Sequence, residues 1–502
     1  MGIPNYFYHV LTNHGNIIKK LYFHRIHNLY LDSNSLVYDS VYEYDAPIEN
    51  NMIIYELVYN KIINIIETLK PHGITYVSFD GVAPVAKLVQ QKQRRYKSNL
   101  IKEVLDKPST QWNTNNITPG TEFMNGLNKY MKMQFQKNPK VIFSGSDEPG
   151  EGEHKICHYI RSNFNSKDNT ENHCIYGLDA DLIMLGLILL RDGYNMFLYR
   201  ETKYFDYIPK IEKDEKYIFD LFHMGKQLCN SIKYDNMKGA INDYCFLCYL
   251  CGNDFLPHFS SINIRNNGIH YLIDAYTECG VHLINDQNKI NWIEVNKLFV
   301  FLSNNENQNT IENIHWKIEK SKNIRAKNSE EKLNILPLTD KDNDIYILNN
   351  MEKYDDIVFN HHNMKKICKN YLEMLEWTWE YYNGNVLDTY LYYHFSHAPR
   401  FHHLRKYTPI QNNDCILKKQ PNEIISSTTQ LLYVLPTEDH SQHFNKKFLN
   451  NIYDKFPELT ESNFDVDYTF CKYFWEAHVE INYVNVIELN NHIRKVNDIK
   501  MK

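Results

Sequence analysis

The chain has 502 residues, enough for two or three domains at roughly 100–200 residues each. Its 43% hydrophobic and 23% charged residues exclude a disordered, fibrous or collagen-like protein. With 55 Lys and Arg against 61 Asp and Glu, the net charge of −6 means that any surface for nucleic acid has to be a local basic patch. The longest uncharged apolar run, Leu182 to Leu190, is far short of the ~20 residues that cross a bilayer, so no membrane span is expected. The first residues carry neither a secretory nor a myristoylation pattern, and 10 scattered cysteines fit reduced thiols. A soluble, intracellular protein is the expectation. The heavy use of Asn, Ile, Lys and Tyr reads as the codon bias of an AT-rich genome, such as that of a large DNA virus or a protist.

Taken in chain order, Asn28–Asp32 is a short β-like run ending in an acid. Ile54, Leu57, Val58, Ile62, Ile65, Ile66 and Leu69 recur at helical spacing until Pro71 and Gly73 stop them. Ile74–Phe79 is a second strand that runs into Asp80, Val141–Phe143 a third, and Cys174–Leu178 a fourth that runs into Asp179. Strands alternating with helices predict an α/β fold with a parallel sheet and right-handed crossovers. Ligands of such sheets bind at the carboxyl ends of the strands, where Asp32, Asp80 and Asp179 fall. Asp after a strand is often only a helix N-cap, but three of them joined by further acidic pairs are not explained that way.

Those pairs are Glu151 and Glu153, flanked by Gly150 and Gly152, and Asp179 and Asp181; Asp254 follows Gly252-Asn253. With Asp32 and Asp80 they make seven carboxylates and no thiolate or imidazole. Oxygen-only donors suit hard cations such as Mg²⁺ or Mn²⁺. Two ions about 4 Å apart would neutralise the cluster and support in-line displacement at phosphorus, which is a phosphodiesterase argument. Between Lys87 and Lys102 lie Lys87, Lys92, Arg94, Arg95, Lys97 and Lys102 without an acid. If Lys87–Ser98 is helical, Lys87, Gln91 and Arg94 or Arg95 converge on one face, suited to clamping a terminal phosphate. A solvated basic helix is the plain alternative; the position, seven residues after Asp80, counts against it. Cys245, Cys248 and Cys251 have a cluster-like spacing but sit in an apolar stretch, where small buried cysteines explain them.

Several blocks are longer than chance allows: Met1-Gly2-Ile3-Pro4, Asp80-Gly81-Val82-Ala83-Pro84 with Lys87, Gln90, Gln91, Arg94 and Arg95, Pro149 to Lys155, Tyr176 to Leu182, and Gly252 to His258. On these blocks the chain resembles the Xrn-type 5′→3′ exoribonucleases, in the wider clan of PIN-fold, flap endonuclease-like nucleases. The resemblance implies that Asp32, Asp80, Glu151, Glu153, Asp179, Asp181 and Asp254 hold two Mg²⁺ ions, and that Lys87, Gln91, Arg94 and Arg95 bind the 5′-monophosphate of single-stranded RNA. Tyr38 stands where the family has a base-stacking His, and Tyr390 is the candidate for the second stacking position, whose Trp is absent from Thr389–Tyr393. Val85 replaces a basic residue usual in the phosphate motif. The implied organisation is a nuclease core over 1–303, a polar insertion or linker over 304–346, and an aromatic-rich helical region over 347–502 that completes the substrate channel, without the accessory domains of the large members. The implied partners are RNA with a 5′-monophosphate and the decapping machinery that produces it. The implied form is a monomer in the cytoplasm, a host's cytoplasm if the source is viral.

Two other functions stay open on the sequence. A flap-type DNA nuclease would use the same metal site but should continue after Asp254 into a duplex clamp, which Phe255-Leu256-Pro257-His258 does not suggest. A catalytically dead RNA-binding scaffold should have lost carboxylates, and all seven are present.

Overall fold

The computed structural model describes residues 3, 5–44, 47–48, 50–105, 112–166, 170–201, 212, 215–322, 324–385, 388–411, 414–417, 422–460 and 464–500. Of the opening Met1–Pro4 block, only Ile3 lies among them. The chain divides into two compact units, each drawing on separated stretches: 1–83, 111–245 and 380–386 in one, and 84–110, 246–379 and 387–502 in the other.

The first unit is α/β. Its sheet has seven strands, β1 (Ile18–Lys20), β2 (Asn28–Asp32), β3 (Thr75–Ser78), β4 (Val141–Ser144), β5 (Asn172–Tyr176), β6 (Asn195–Tyr199) and β7 (Tyr217–Asp220), in the order β1-β7-β6-β5-β2-β3-β4. The pairs β2–β3, β3–β4, β2–β5 and β5–β6 are parallel, while β7 runs antiparallel to β6 and β1. The four sequence-predicted strands are the parallel core β2 to β5. Strands β1, β6 and β7 were not singled out from the sequence, although β7 also ends in an acid, Asp220, which caps the helix Leu221–Ser231 by accepting from the His223 amide at 3.1 Å.

Every residue of β2 is buried, as expected of a parallel strand covered on both faces. Leu29 and Leu31 join one cluster with Ile54, Val58 and Ile62 of the helix Asn51–Leu69 and with Phe123, Met124 and Leu127 of the helix Glu122–Phe135. Tyr30 turns to the opposite face and meets Tyr159 of the helix Gly152–Asn163. Asn50 caps the first of these helices by accepting from the Met52 amide at 2.9 Å. The strand register sets Asp32 level with Ser78, and Ser78 level with Ser144. The segments that follow these residues therefore leave the sheet at one edge, beside the point where the chain order reverses around β2.

The second unit is mainly helical, with one two-stranded antiparallel ribbon, β8 (Val466–Asp467) and β9 (His478–Val479). The basic segment forms a helix over Val85–Val104, longer than Lys87–Ser98 and rich in the strong helix formers Lys, Gln, Arg and Leu. Its buried side carries Val85, Ala86, Leu88, Lys92 and Tyr96, and it packs on the helix Ser427–Val434. Stretch 304–346, expected as a polar insertion or linker, instead carries the helices Glu306–Ser321, Ser329–Asn334, Leu336–Thr339 and Asp342–Asn349. Its polarity is that of exposed helix faces. The buried side is narrow, and the ion pair between Lys317 and Asp344, both buried, ties its first and last helices together. Cys245, Cys248 and Cys251 are buried free thiols, as packing residues should be. Among the described residues no helix is long and apolar enough to cross a membrane.

Candidate active site

The loops leaving β2, β3 and β4 bring Asp32, Asp80 and Glu153 together: one carboxylate oxygen from each lies within 4.8 Å of the others. Asp32 and Glu153 are buried and Asp80 is half-buried. Asp80 is held on three sides. Asn34 donates from Nδ2 to its Oδ2 at 2.6 Å and accepts its backbone N–H at 3.1 Å, and the Gly152 amide donates to its Oδ1 at 2.7 Å. Gly152 opens the helix Gly152–Asn163, so this carboxylate also meets the positive end of a helix dipole.

Two glycines make the arrangement possible. Gly150 has φ +103°, a region closed to most side chains, and lets the loop turn so that its carbonyl accepts from Gly81 at 2.8 Å while its amide donates to Val82 at 2.9 Å. The loops carrying Asp80 and Glu151-Gly152-Glu153 are thereby laced together. A Cβ on Gly152 would stand 2.6 Å from Asp32 Oδ1 and 3.3 Å from Asp80 Oδ1, so only glycine leaves the mouth between these oxygens clear.

Glu151 is buried and accepts a hydrogen bond from the Tyr381 hydroxyl at 2.8 Å on Oε1. The His154 ring lies 3.8 Å, centroid to centroid, from that tyrosine. Asp181 is buried in the first turn of the helix Asp181–Arg191, and Asp179, two residues before it, is exposed. The i, i+2 spacing therefore does not put the two on one extended face, because a helix begins between them. Lys155, two residues after Glu153, is buried beside this group. Its ammonium donates to the Gly145 carbonyl at 2.8 Å, and burial pulls its pKa down to about 8 against the opposing pull of Glu148, Asp80, Asp147 and Asp32.

Asp254 belongs to the second unit. There Asn253 Oδ1 accepts from the amides of Phe255 and Leu256, both at 2.9 Å, and fixes the turn. The Lys87 ammonium donates to Asp254 Oδ2 at 2.7 Å. Burial alone would raise the Asp254 pKa, but the charge and hydrogen bond of Lys87 outweigh it and hold the group well below the usual carboxylate range.

On the basic helix, Gln91, Arg94 and Arg95 keep to one side; Arg95 donates to Gln91 Oε1 at 3.3 Å and Arg94 is exposed. Lys92 and Lys97 are buried elsewhere: Lys92 faces the rings of Tyr96 and Tyr433 at 5.4 and 4.8 Å, and Lys97 donates to the carbonyls of Trp475 and Ala477 at 2.7 and 2.5 Å. The run of charge is thus neither a solvated face nor wholly a binding face. Tyr38 is half-buried against the core of the first unit. Tyr390, also half-buried, accepts a hydrogen bond from Asn490 at 3.4 Å.

The donor set at Asp32, Asp80 and Glu153, oxygen only and partly buried around a mouth that a methyl group would fill, fits a hard divalent cation. Asn34 and Tyr381 were not singled out from the sequence. Asn34 sits two residues after Asp32, a legible signal, whereas Tyr381 comes from a distant stretch and only the fold brings it to Glu151.

Comparison with known proteins matches residues 1–202 to the family described as XRN 5'-3' exonuclease N-terminus and residues 233–357 to the Xrn1 helical domain. The chain is 31% identical to 5'-3' exoribonuclease 1 of Saccharomyces cerevisiae over 58% of its own length and 22% of that protein's. It is 30% identical to 5'-3' exoribonuclease 1 of Homo sapiens over 60% and 20%, and 33% identical to 5'-3' exoribonuclease 2 of Kluyveromyces lactis over 50% and 31%. The matched stretch thus spans under a third of the length of each of these relatives. A structure of the catalytic core of Rad2 with a DNA substrate aligns over 69% of this chain and 84% of that one, at 13% identity and a TM-score of 0.33. With two matched segments that together span well over half of its residues, this chain belongs to the Xrn-type 5′→3′ exonuclease family.

Proposed function

We propose that this protein is a 5′→3′ exoribonuclease that hydrolyses single-stranded RNA bearing a 5′-monophosphate to nucleoside 5′-monophosphates. The observation that carries the reading is the convergence of Asp32, Asp80 and Glu153 in a member of this family. These three residues would hold a divalent cation, Mg²⁺ or Mn²⁺, and Glu151, Asp179 and Asp181 would complete a two-ion site; the family resemblance assigns a ligand role to Asp254 as well. Ions bound there supply charge neutralisation and Lewis-acid activation for displacement at phosphorus. Asn34 and the Gly152 amide keep the Asp80 carboxylate oriented, and Tyr381 does the same for Glu151.

Gln91, Arg94 and Arg95 receive the terminal phosphate, Arg94 and Arg95 through the forked geometry that suits phosphate oxygens, and Lys87, whose ammonium donates to Asp254, joins them on the family resemblance. Tyr38 and Tyr390 are the candidates for stacking on bases, which needs only a π face. Decapping leaves a 5′-monophosphate, so it is the class of reaction that would supply this substrate, and cytoplasmic RNA decay is the setting.

The test is a degradation time course on matched single-stranded RNAs with 5′-monophosphate, 5′-hydroxyl or 5′-triphosphate ends, in Mg²⁺ or in EDTA, beside a DNA flap. Mg²⁺-dependent loss of the monophosphorylated RNA alone is expected. Cleavage of the flap with the RNAs intact would move the protein to structure-specific DNA cleavage.

A further inference from the structure

Residues 472–479, in the second unit, form a short segment held on several sides by side chains that the proposed chemistry does not use. Glu476 accepts on Oε2 from the amides of Lys472 and Tyr473 at 2.8 and 3.3 Å, and its other oxygen takes the Arg265 guanidinium. Lys97 binds the Trp475 and Ala477 carbonyls, and the Gln93 amide pairs with both backbone groups of Val479 at 2.7 Å each. A segment tied at this many points is rigid before any ligand arrives.

What it presents is an alternation of rings and cations. The Tyr473 and Trp475 rings lie nearly parallel, at 18°, with centroids 6.2 Å apart. The Arg265 guanidinium sits 5.7 and 5.8 Å from the two centroids. The Lys472 ammonium is 4.8 Å from the Tyr473 ring and 5.6 Å from that of Trp316, and the Lys320 ammonium is 5.8 Å from the same Trp316 ring. Glu476 balances Arg265; among the described residues no carboxylate pairs with Lys320 or Lys472. Trp475 is 39% exposed, the one tryptophan on the open surface among the described residues, although a ring of that size gains most by burial.

We propose that Trp316, Tyr473 and Trp475, with Lys320, Lys472 and Arg265, form a second contact surface for single-stranded RNA, made of residues other than those proposed for the metal and for the terminal phosphate. Ring faces take unstacked bases of any sequence and the ammonium groups take the phosphates between them, the combination used wherever single strands are held without sequence reading. An acidic peptide would match the charge but has no use for parallel rings. The inference rests on RNA as the substrate and adds where a longer strand is gripped.

The experiment measures fluorescence anisotropy of labelled 5′-hydroxyl oligouridylates, one long and one only a few nucleotides, in EDTA, with the full chain carrying Trp475→Ala, Trp475→Phe or the pair Lys320→Gln and Lys472→Gln. Trp475→Ala should weaken the long oligonucleotide about tenfold and leave the short one unchanged. Trp475→Phe should restore most of the loss, and the double Lys variant should flatten the salt dependence by roughly one to two released ions. Unchanged binding of the long strand by folded Trp475→Ala, failure of Phe to rescue it, or an equal loss on duplex RNA would each overturn the stacking surface. Hydrolysis of a short 5′-monophosphorylated RNA keeps the two readings apart. If the native protein grips the long strand through Trp475 yet hydrolyses nothing, the surface stands and the enzyme reading fails. If it hydrolyses normally while Trp475→Ala binds as before, the reverse holds.

Discussion

The acidic edge of the sheet is assembled from separated stretches and the basic helix Val85–Val104 from one run of charge, and their side chains meet opposite fates. At the sheet edge Asp32, Asp80 and Glu153 are gathered, and Asn34 and the Gly152 amide hold Asp80 in place. Along the helix the charges are dispersed. Lys92 goes to ring faces, Lys97 to carbonyls and Lys87 to Asp254, leaving Gln91, Arg94 and Arg95 together on another side. Gathering like charges costs energy unless something of opposite sign joins them, whereas dispersing them satisfies each one within the protein. Convergence is therefore the better mark of a site than a count of charges.

The largest test of that contrast is removal of a gathered carboxylate. Asp80→Ala should cut Mg²⁺-dependent hydrolysis by more than the ~100-fold that loss of a residue behind the ligands costs, while RNA binding in EDTA persists. Wild-type rates in this variant would remove the metal assignment altogether.

A smaller change keeps the ligands and loosens one of them. Asn34→Ala removes one hydrogen bond to the Asp80 carboxylate and the acceptor of its backbone N–H, and apparent Mn²⁺ affinity, read by calorimetry as well as by rate, should fall about 10- to 100-fold. An unchanged affinity would mean that the loops alone, laced through Gly81 and Gly150, hold the carboxylate.

On the helix, Arg94→Ala should weaken use of 5′-monophosphorylated RNA about tenfold relative to other ends, the scale of one charge-assisted contact. Equal loss on all ends would make Arg94 a general electrostatic residue and erase its difference from the dispersed lysines.

The smallest effect concerns stability. Burial pulls the Lys97 pKa down to about 8 from its usual 10.5, with Cys471 and Glu476 acting in the opposite direction. Between those two values the unfolded chain carries a proton that the folded one lacks, so the free energy of unfolding, and with it stability, rises with pH across the window, and the gain is lost as pH falls through about 8. Lys97→Met should remove that rise, seen as a difference between the two proteins' denaturation midpoints at pH 8 and pH 10, and should cost about 1–3 kcal/mol at high pH by leaving two carbonyls without their donor.

Much of this was legible from residue order. A strand is a local pattern, and β2 to β5 stand out because buried apolar runs end in acids or turns; the helix Asn51–Leu69 stands out by its spacing. Asp32 and Asp80 could be named because they follow strands whose parallel order the alternation of elements dictates, and Glu153 because it pairs with Glu151 between glycines; that these three of the seven carboxylates converge was not legible. Position 304–346 was misleading because a helix with a narrow buried stripe has the composition of a linker, and the Lys317–Asp344 pair that anchors it spans residues no local window joins.

Composition, periodicity and motif spacing by themselves determined the α/β class, the carboxylate inventory and the family resemblance, since each depends on neighbours a few residues apart. Only the tertiary structure decided which charges converge and which are dispersed, that a helix start separates Asp179 from Asp181, and that Tyr381 reaches Glu151 across 230 residues of chain. Those outcomes depend on burial, and burial is a property of the packed chain: a carboxylate or an ammonium has the same formula whether water, a ring face or a second acid lies beside it, and the energetic difference among those surroundings is what makes a site.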